Sequence, residues 1–530
     1  MVFRENKEQK MDLFDPINDF PEQARKRLAK SWGPVFYEHI FLEIDEMDFS
    51  MLFEDTNEGR PNFPINVIVG ALILKEYKRL TDEELIDSIT FNMQFRTALG
   101  CSSYLSAMPS ERTISRFRMR MAEYDIEHGT DKLKDTFDAL EQKMKETMGL
   151  SNQNIRMDSA MIQSNIKSMG RVELMYTCIK HVIDDLLKEG IPLPDELKHY
   201  QKKNDLNRVV YHENNEEINT RHDRLLKEIS TVLELLPEGL SENRNVQLMD
   251  RMIREQTVQT KEGELALRPS KEISSTSLQN PSDPDATYRK KAGKGYKGYT
   301  TNFCEIFDEG KSLIEDYSVE QNVYSDTQFS KDVMEKMCFQ DERVCLYVDG
   351  AYGGAENREL AEKNNIELIA GNLQGRPSKS AETDGLFVID EKKNELSRCP
   401  AGHSPIKQAH NPDTETITAH FDLANCSDCP LYTICRSKIQ KKNAVVRISQ
   451  KIIANAQLRE KMGTKEYQKC CGKRNGVEGI PSILRRYYNI DRIPVRGLVR
   501  IKPFVACKYI AINFKSLLKW KKTESKMAID

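Results

Sequence analysis

The sequence predicts a multidomain protein of mixed α+β and α/β class, and three observations carry that expectation. The chain has 530 residues, more than a single compact core accommodates, so about two to four domains are expected. Its first 150 residues, and a later stretch from about Arg171 to Asn280, place apolar residues at helical spacing. Short runs of strand formers stand between and after these blocks, and two of them close on an aspartate. The expected organisation is a helical N-terminal domain (1–150), a first core strand (151–170), a helical insertion (171–284), a mixed-sheet core (285–380), a Cys-rich β module (381–440) and a basic C-terminal part of the core (441–530).

In the N-terminal part, Asn66–Tyr77 carries the helical pattern, and Thr81 with Glu84 forms a capping box for the helix that follows. Gly100 closes the next helical run as a C-cap. Pro109-Ser110-Glu111 then opens ERTISRFRMRMAEY, in which Arg112, Arg116, Arg118 and Arg120 alternate with Ile114, Phe117 and Met121. Two readings stand side by side: a helix-turn-helix-like module whose Arg112 and Arg116 meet DNA, or a small bundle with a solvated arginine face.

Asn154–Asp158 reads as a short strand ending in Asp158. Three amphipathic segments after Arg171 compose the insertion, which Asn280-Pro281-Ser282-Asp283-Pro284 terminates. Beyond Gly298, YTTNFCEIFD and KSLIEDYSVE flank Asp308-Glu309-Gly310 as a hairpin. Just before it, Lys294-Gly295-Tyr296-Lys297-Gly298-Tyr299 reads either as a basic–aromatic loop approaching a nucleic-acid backbone through Lys294 and Lys297, or as a flexible turn. Arg343–Val348 is apolar at nearly every position, the pattern of a strand buried on both faces, and Asp349 stands at its end. A helix at Ala355–Lys363 and a strand at Ile366–Ala370 complete a β-α-β pattern. The sheet is therefore expected to be mixed, antiparallel first and parallel afterwards.

The net charge of −3 argues against nucleic acid only if the charge is spread evenly. It is not: Arg436–Asp530 holds 24 Lys/Arg against 6 Asp/Glu, and the rest of the chain 55 against 76. One cationic face on an acidic molecule suits a polyanionic partner. No apolar run approaches the length that spans a bilayer. With no export signal at the charged N-terminus, a cytoplasmic location and reduced cysteines are expected.

Asp158 and Asp349 both close strands of the same α/β region. If the strands are neighbours, two adjacent carboxylates require a divalent cation to stay charged together. The alternative is that both are ordinary turn-forming aspartates. A wider pattern bears on the choice. GRPNFPINVIVGALILKEYKRLTDEELIDSITFNMQFRTALG, SERTISRFR, RMDSAMIQSNI, DPDATYRKKAGKGYKGYTTNF, YVDGAYGG and RNGVEGIPSILRRYYNIDRIPVRGL occur in that order. Together they resemble the DDE transposases of bacterial insertion sequences over nearly the whole chain except the helical insertion. The resemblance implies an RNase H-like core with Asp158 on its first strand, Asp349 after its fourth and Glu478 on a late helix. It further implies a nucleoid-associated DNA transposase that binds the element's terminal repeats and target DNA as a homodimer. Two Mg²⁺ or Mn²⁺ ions at Asp158, Asp349 and Glu478 would support cleavage and joining of 3′-hydroxyl ends. Around Glu478 the sequence is similar to the family's Tyr-Arg-Glu-Lys pattern. Arg474 and Arg485 stand where one helix face would hold DNA phosphate, and Cys471 stands where a tyrosine is expected. Two rival readings share these residues: a nuclease that cleaves without strand transfer, and a domesticated DNA-binding regulator.

Cys399, Cys426, Cys429 and Cys435 include a Cys-x₂-Cys pair, the spacing that lets two thiolates converge on Zn²⁺. His403 or His420 stands as an alternative to one of the four, and buried free thiols as the alternative to a metal site.

Overall fold

The computed structural model describes residues 1–530 apart from 7–15, 55–57, 102–105, 212–217, 262, 292, 338–342, 351, 373–377, 391–392 and 528–530. Position 351 of the YVDGAYGG motif thus lies outside the described residues. The N-terminal part runs through α1 (Glu22–Ala29), α2 (Trp32–His39), α3 (Ile65–Lys78), α4 (Asp82–Phe91), α5 (Met93–Ala98), α6 (Glu111–His128) and α7 (Lys132–Met148). The expected capping box starts α4: Glu84 N donates to Thr81 Oγ1 at 3.1 Å, and Thr81 N donates to Glu84 Oε2 at 2.8 Å. Strand β1 (Asn154–Gln163) follows, then α8 (Arg171–Lys188), α9 (Asp205–Tyr211), α10 (Ile218–Leu235) and α11 (Arg244–Gln256).

The stretch from Arg171 to Asn280 is not purely helical, as its sequence pattern suggests. It contains a small antiparallel pair, β2 (Thr257–Gln259) and β3 (Leu265–Leu267), begun by the β-branched Thr257 and Val258. Its helices nevertheless enclose their own apolar core, with Ile179, Val182, Leu225, Ile229, Met249 and Met252 buried together.

Strands β4 (Thr287–Lys291), β5 (Lys294–Asp308) and β6 (Lys311–Gln321) come next, then α12 (Asp326–Lys336), β7 (Val344–Val348), α13 (Ala355–Lys363), β8 (Ile366–Ala370) and α14 (Ala381–Asp384). The Cys-rich region holds β9 (Val388–Asp390), β10 (Glu395–Arg398), β11 (Lys407–Asn411), β12 (Thr416–Phe421), α15 (Leu423–Ser427), β13 (Lys438–Ile439) and β14 (Ala444–Ile448). The chain ends through α16 (Gln450–Gly463), α17 (Lys465–Gly472), a 3₁₀ turn at Lys473–Glu478, α18 (Gly479–Arg486) and α19 (Leu498–Met527).

Two compact units result. The first comprises 1–151, 159–325 and 480–530; the second comprises 152–158 and 326–479. In the first, β5 pairs with β4 and β6 and is followed in strand order by β1. The expected β5–β6 hairpin forms, with a two-residue turn: Asp308 pairs with Lys311, and Glu309 and Gly310 both take positive φ (38° and 85°). Helix α19 lies on β6, where the Asn513 side chain accepts from Ile314 N at 2.7 Å and donates to Ile314 O at 2.8 Å. In the second unit, the first residues of β1 pair in parallel with β7, and β7 with β8. The antiparallel sheet β11–β12–β14–β13 and the β9–β10 pair surround a separate core that includes Phe387, Leu396, Ile417, Phe421 and Ile448.

Candidate carboxylate site

Strand β1 does not end at Asp158. Apolar Ala160, Met161 and Ile162 carry it on to Gln163, so Asp158 lies mid-strand. What ends near Asp158 is the neighbouring strand. Asn154, Ile155 and Arg156 pair with Cys345, Leu346 and Tyr347, and the same register continued two residues sets Asp158 opposite Asp349. Adjacent strands lie about 4.8 Å apart, and residues two apart on a strand share a face. Asn154, Arg156 and Asp158 therefore share one face with Cys345, Tyr347 and Asp349. The Tyr347 hydroxyl spans that face to donate to Asn154 Oδ1 at 3.1 Å. Asp349 is exposed where β7 stops, and its carboxylate accepts from Gly350 N at 2.7 Å.

The segment that carries Glu478 packs over the same face. Arg156 Nη1 donates to Lys473 O at 3.0 Å, and Lys473 Nζ stands 5.7 Å from the Tyr347 ring centre. Gly476 lies directly on the Arg156 guanidinium. Arg474 donates to Glu478 Oε1 at 3.1 Å across one turn. The single helix expected to align Arg474, Glu478 and Arg485 is not formed. The chain instead takes a 3₁₀ turn at Lys473–Glu478, which contains Gly476, and Arg485 stands in α18, which follows directly. Arg485 belongs to the other compact unit.

Oxygen ligands on two facing aspartates suit a hard divalent ion. Glu478 is ion-paired with Arg474 and 62% exposed. Among the described residues no three His, Cys, Asp or Glu side chains are gathered as a metal-holding group. The chemistry of the two aspartates fits such an ion, whereas Glu478 is engaged by Arg474.

The other sequence-derived residues fall in distinct places. On α6, Arg112 and Arg116 are exposed, whereas Arg118 is bound to Asp82 through two bonds of 2.8 and 2.9 Å, and Arg120 lies over the Phe53 ring. Lys294–Tyr299 is not a loop; it is the start of β5, paired with β4. Lys294 is exposed, but Lys297 is half-buried, donates to Met169 O at 3.0 Å, and has its pKa lowered by burial. A Cβ on Gly298 would come within 2.4 Å of Ile162 O, so this glycine serves close strand packing.

Cys399, Cys426, Cys429 and Cys435 line one small cavity of about 20 Å³ together with His403. That volume admits a single water-sized sphere. The Cys399 and His403 backbones close a tight loop, with Cys399 N donating to His403 O at 2.9 Å. Burial and the three neighbouring thiols push the Cys426 pKa up. His420 lies in β12, paired with Lys407 and Val445.

The geometry defines a mixed α/β protein that aligns two aspartates on parallel neighbouring strands. Comparison with known families narrows this class. Residues 398–518 match the family model described as a transposase DDE domain, and residues 29–120 match the one described as transposase domain (DUF772). Both matches support a DDE transposase of the insertion-sequence type. No curated protein and no solved structure matches the chain. Sequence reasoning missed Arg156 and the contact it makes with the Glu478 segment. The only trace of that contact in the sequence is a glycine at 476, which has no distinctive spacing.

Proposed function

We propose that this chain is a DNA transposase that binds insertion-sequence ends, cleaves them and joins the freed 3′-hydroxyl ends to target DNA. The observation that carries this reading is the continued β1–β7 register, which sets Asp158 against Asp349. Within the second unit, the parallel pairing of β1 with β7 and of β7 with β8, with Asp349 just after β7, supports the RNase H-like core that the resemblance implies. Asp158, Asp349 and Glu478 would hold two Mg²⁺ or Mn²⁺ ions, which when bound activate the attacking hydroxyl and stabilise the leaving oxygen. Asp158 on β1 and Asp349 at the end of β7 would supply two of the carboxylates. Glu478 would leave its pair with Arg474 to join the site, and the Arg474 guanidinium would be available to an adjacent phosphate. Arg112 and Arg116 contact the element end, with Lys294 and Arg485 as further phosphate contacts. Lys297 would have to leave Met169 O to reach a phosphate. Cys399, Cys426, Cys429 and Cys435, which line one cavity, would hold a structural Zn²⁺, and two copies of the chain would pair the two element ends.

The test is metal-dependent cleavage and joining of labelled element-end DNA by the intact protein and by Asp349→Ala. Loss of both steps with DNA binding retained is the expected result, because the substitution removes a carboxylate and no phosphate contact. Full activity in Asp349→Ala would show the carboxylates to be misassigned. Cutting without joining points to a nuclease, and binding without cutting to a regulator.

A further inference from the structure

We propose that Arg156 is a positioning residue, which latches the Glu478-bearing turn onto the face of the sheet that carries Asp158 and Asp349. The proposal rests on the carboxylate reading above. Arg156 sits on β1 two residues before Asp158, so the two side chains leave the strand on the same face. Its Nη1 donates to Lys473 O at 3.0 Å, a contact spanning 317 positions of sequence. The guanidinium also occupies the space above Gly476. A Cβ built there would stand 1.9 Å from Nη1, 2.5 Å from Cζ and 2.7 Å from Nη2. The glycine and the arginine therefore form two halves of one contact: any side chain at 476 evicts the guanidinium, and a shorter side chain at 156 releases the turn.

Besides the latch, the turn is held by α17 and α18 on either side and by buried Val477. Its 3₁₀ hydrogen bonds are weaker than those of an α-helix. It is flanked by Gly472 and Gly479, and among its residues only Val477 is buried. Groups that orient a metal-binding side chain without touching the metal contribute about 10–100-fold in metal affinity or activity. Strand β1 carries Asp158 and the end of β7 places Asp349; the position of Glu478 depends on where its turn is held.

The full-length protein and the variants Arg156→Ala, Arg156→Lys, Gly476→Ala and Arg156→Ala/Gly476→Ala are compared in three ways. Hydrogen exchange of amides 473–478 is followed without metal or DNA, Mn²⁺ affinity is read by electron paramagnetic resonance, and Mn²⁺-dependent cleavage is assayed on element-end DNA. Arg156→Ala and Gly476→Ala should each accelerate exchange in the turn and weaken Mn²⁺ binding by about 10–100-fold. The double variant should be no worse than either single one, since both break the same contact. Arg156→Lys, which can reach Lys473 O but cannot cover Gly476, should recover part of the loss. Wild-type exchange and Mn²⁺ affinity in Gly476→Ala, or losses that add in the double variant, would overturn the latch. If the unmutated protein neither binds Mn²⁺ nor cuts, the carboxylate reading fails on its own, and the exchange rates still decide whether the latch exists.

Discussion

Glu141 is buried in α7, with one carboxylate oxygen enclosed and lacking a hydrogen-bond partner. Burial pushes its pKa up from 4.5 to about 8, against the opposing pull of Lys145, and the nearby Glu315 raises it further. A group whose pKa is raised on folding contributes stability that is complete below its unfolded value and is lost as pH climbs toward the folded one. The first compact unit should therefore lose stability steadily between about pH 4.5 and pH 8 as the buried carboxyl is forced to ionise. Glu141→Gln keeps the shape and removes the charge. It should raise stability at pH 7 by up to about 3 kcal/mol, at 1.36 kcal/mol per pK unit, and flatten the slope. Both tryptophans, Trp32 and Trp520, lie in that unit, so urea unfolding followed by their fluorescence reads the effect directly. Parallel pH profiles for variant and parent would refute it.

At the scale of elements, a backbone contact decides the next outcome. Gly298 in β5 holds φ at +149°, and a side chain there would meet the backbone at Ile162 O (2.4 Å) and Ser164 N (2.6 Å). Neither atom can rotate away, unlike the guanidinium at Gly476. Gly298→Ala should thus cost at least about 3 kcal/mol, the range of severe single substitutions; a urea midpoint equal to the parent's would show that β5 stands further from β1. This same glycine explains a misreading of the sequence. Two glycines within Lys294–Tyr299 suggest a loop, yet Gly298 is there so that two strands can approach, a fact that depends on residues more than 130 positions away. Elements whose causes are local were legible: the Thr81–Glu84 capping box, the Glu309-Gly310 turn, and the continuous apolar run of β7 ending in Asp349. Those that depend on tertiary partners were not. β1 continues past Asp158 because Ala160, Met161 and Ile162 find burial, and the Arg474–Arg485 spacing suggested one α-helix although a 3₁₀ turn at Lys473–Glu478 intervenes. The candidate site divides the same way. Asp349 could be read from the strand it follows, whereas Asp158 lies mid-strand and Arg156 became visible only when a turn far along the chain was seen to cover it.

For the whole molecule, a net charge of −3 coexists with a proposed polyanionic partner, and the distribution of arginines makes that combination testable. Of the four arginines at the start of α6, the structure gives Arg118 a carboxylate and Arg120 an aromatic ring, leaving Arg112 and Arg116 on the exposed face. Each phosphate neutralised by a cation releases condensed counterions and steepens the fall of log affinity with log salt by about 0.9 on duplex DNA. Arg112→Ala/Arg116→Ala should therefore reduce the magnitude of that slope by about 2 for element-end DNA, measured by fluorescence anisotropy from about 50 to 200 mM salt. Arg118→Ala should leave the slope alone and instead lower the urea midpoint, because it strips Asp82 of its guanidinium partner and α4 of its tie to α6. Asp349→Ala should change neither slope nor midpoint. The three variants separate what composition alone confounds: cations that hold DNA, cations that hold the fold, and a carboxylate reserved for chemistry. A slope unchanged in the Arg112/Arg116 variant would mean that α6 turns its arginines to solvent, which returns the N-terminal helices to the reading of a bundle with a solvated face and moves the search for the DNA contact to the cationic stretch after Arg436.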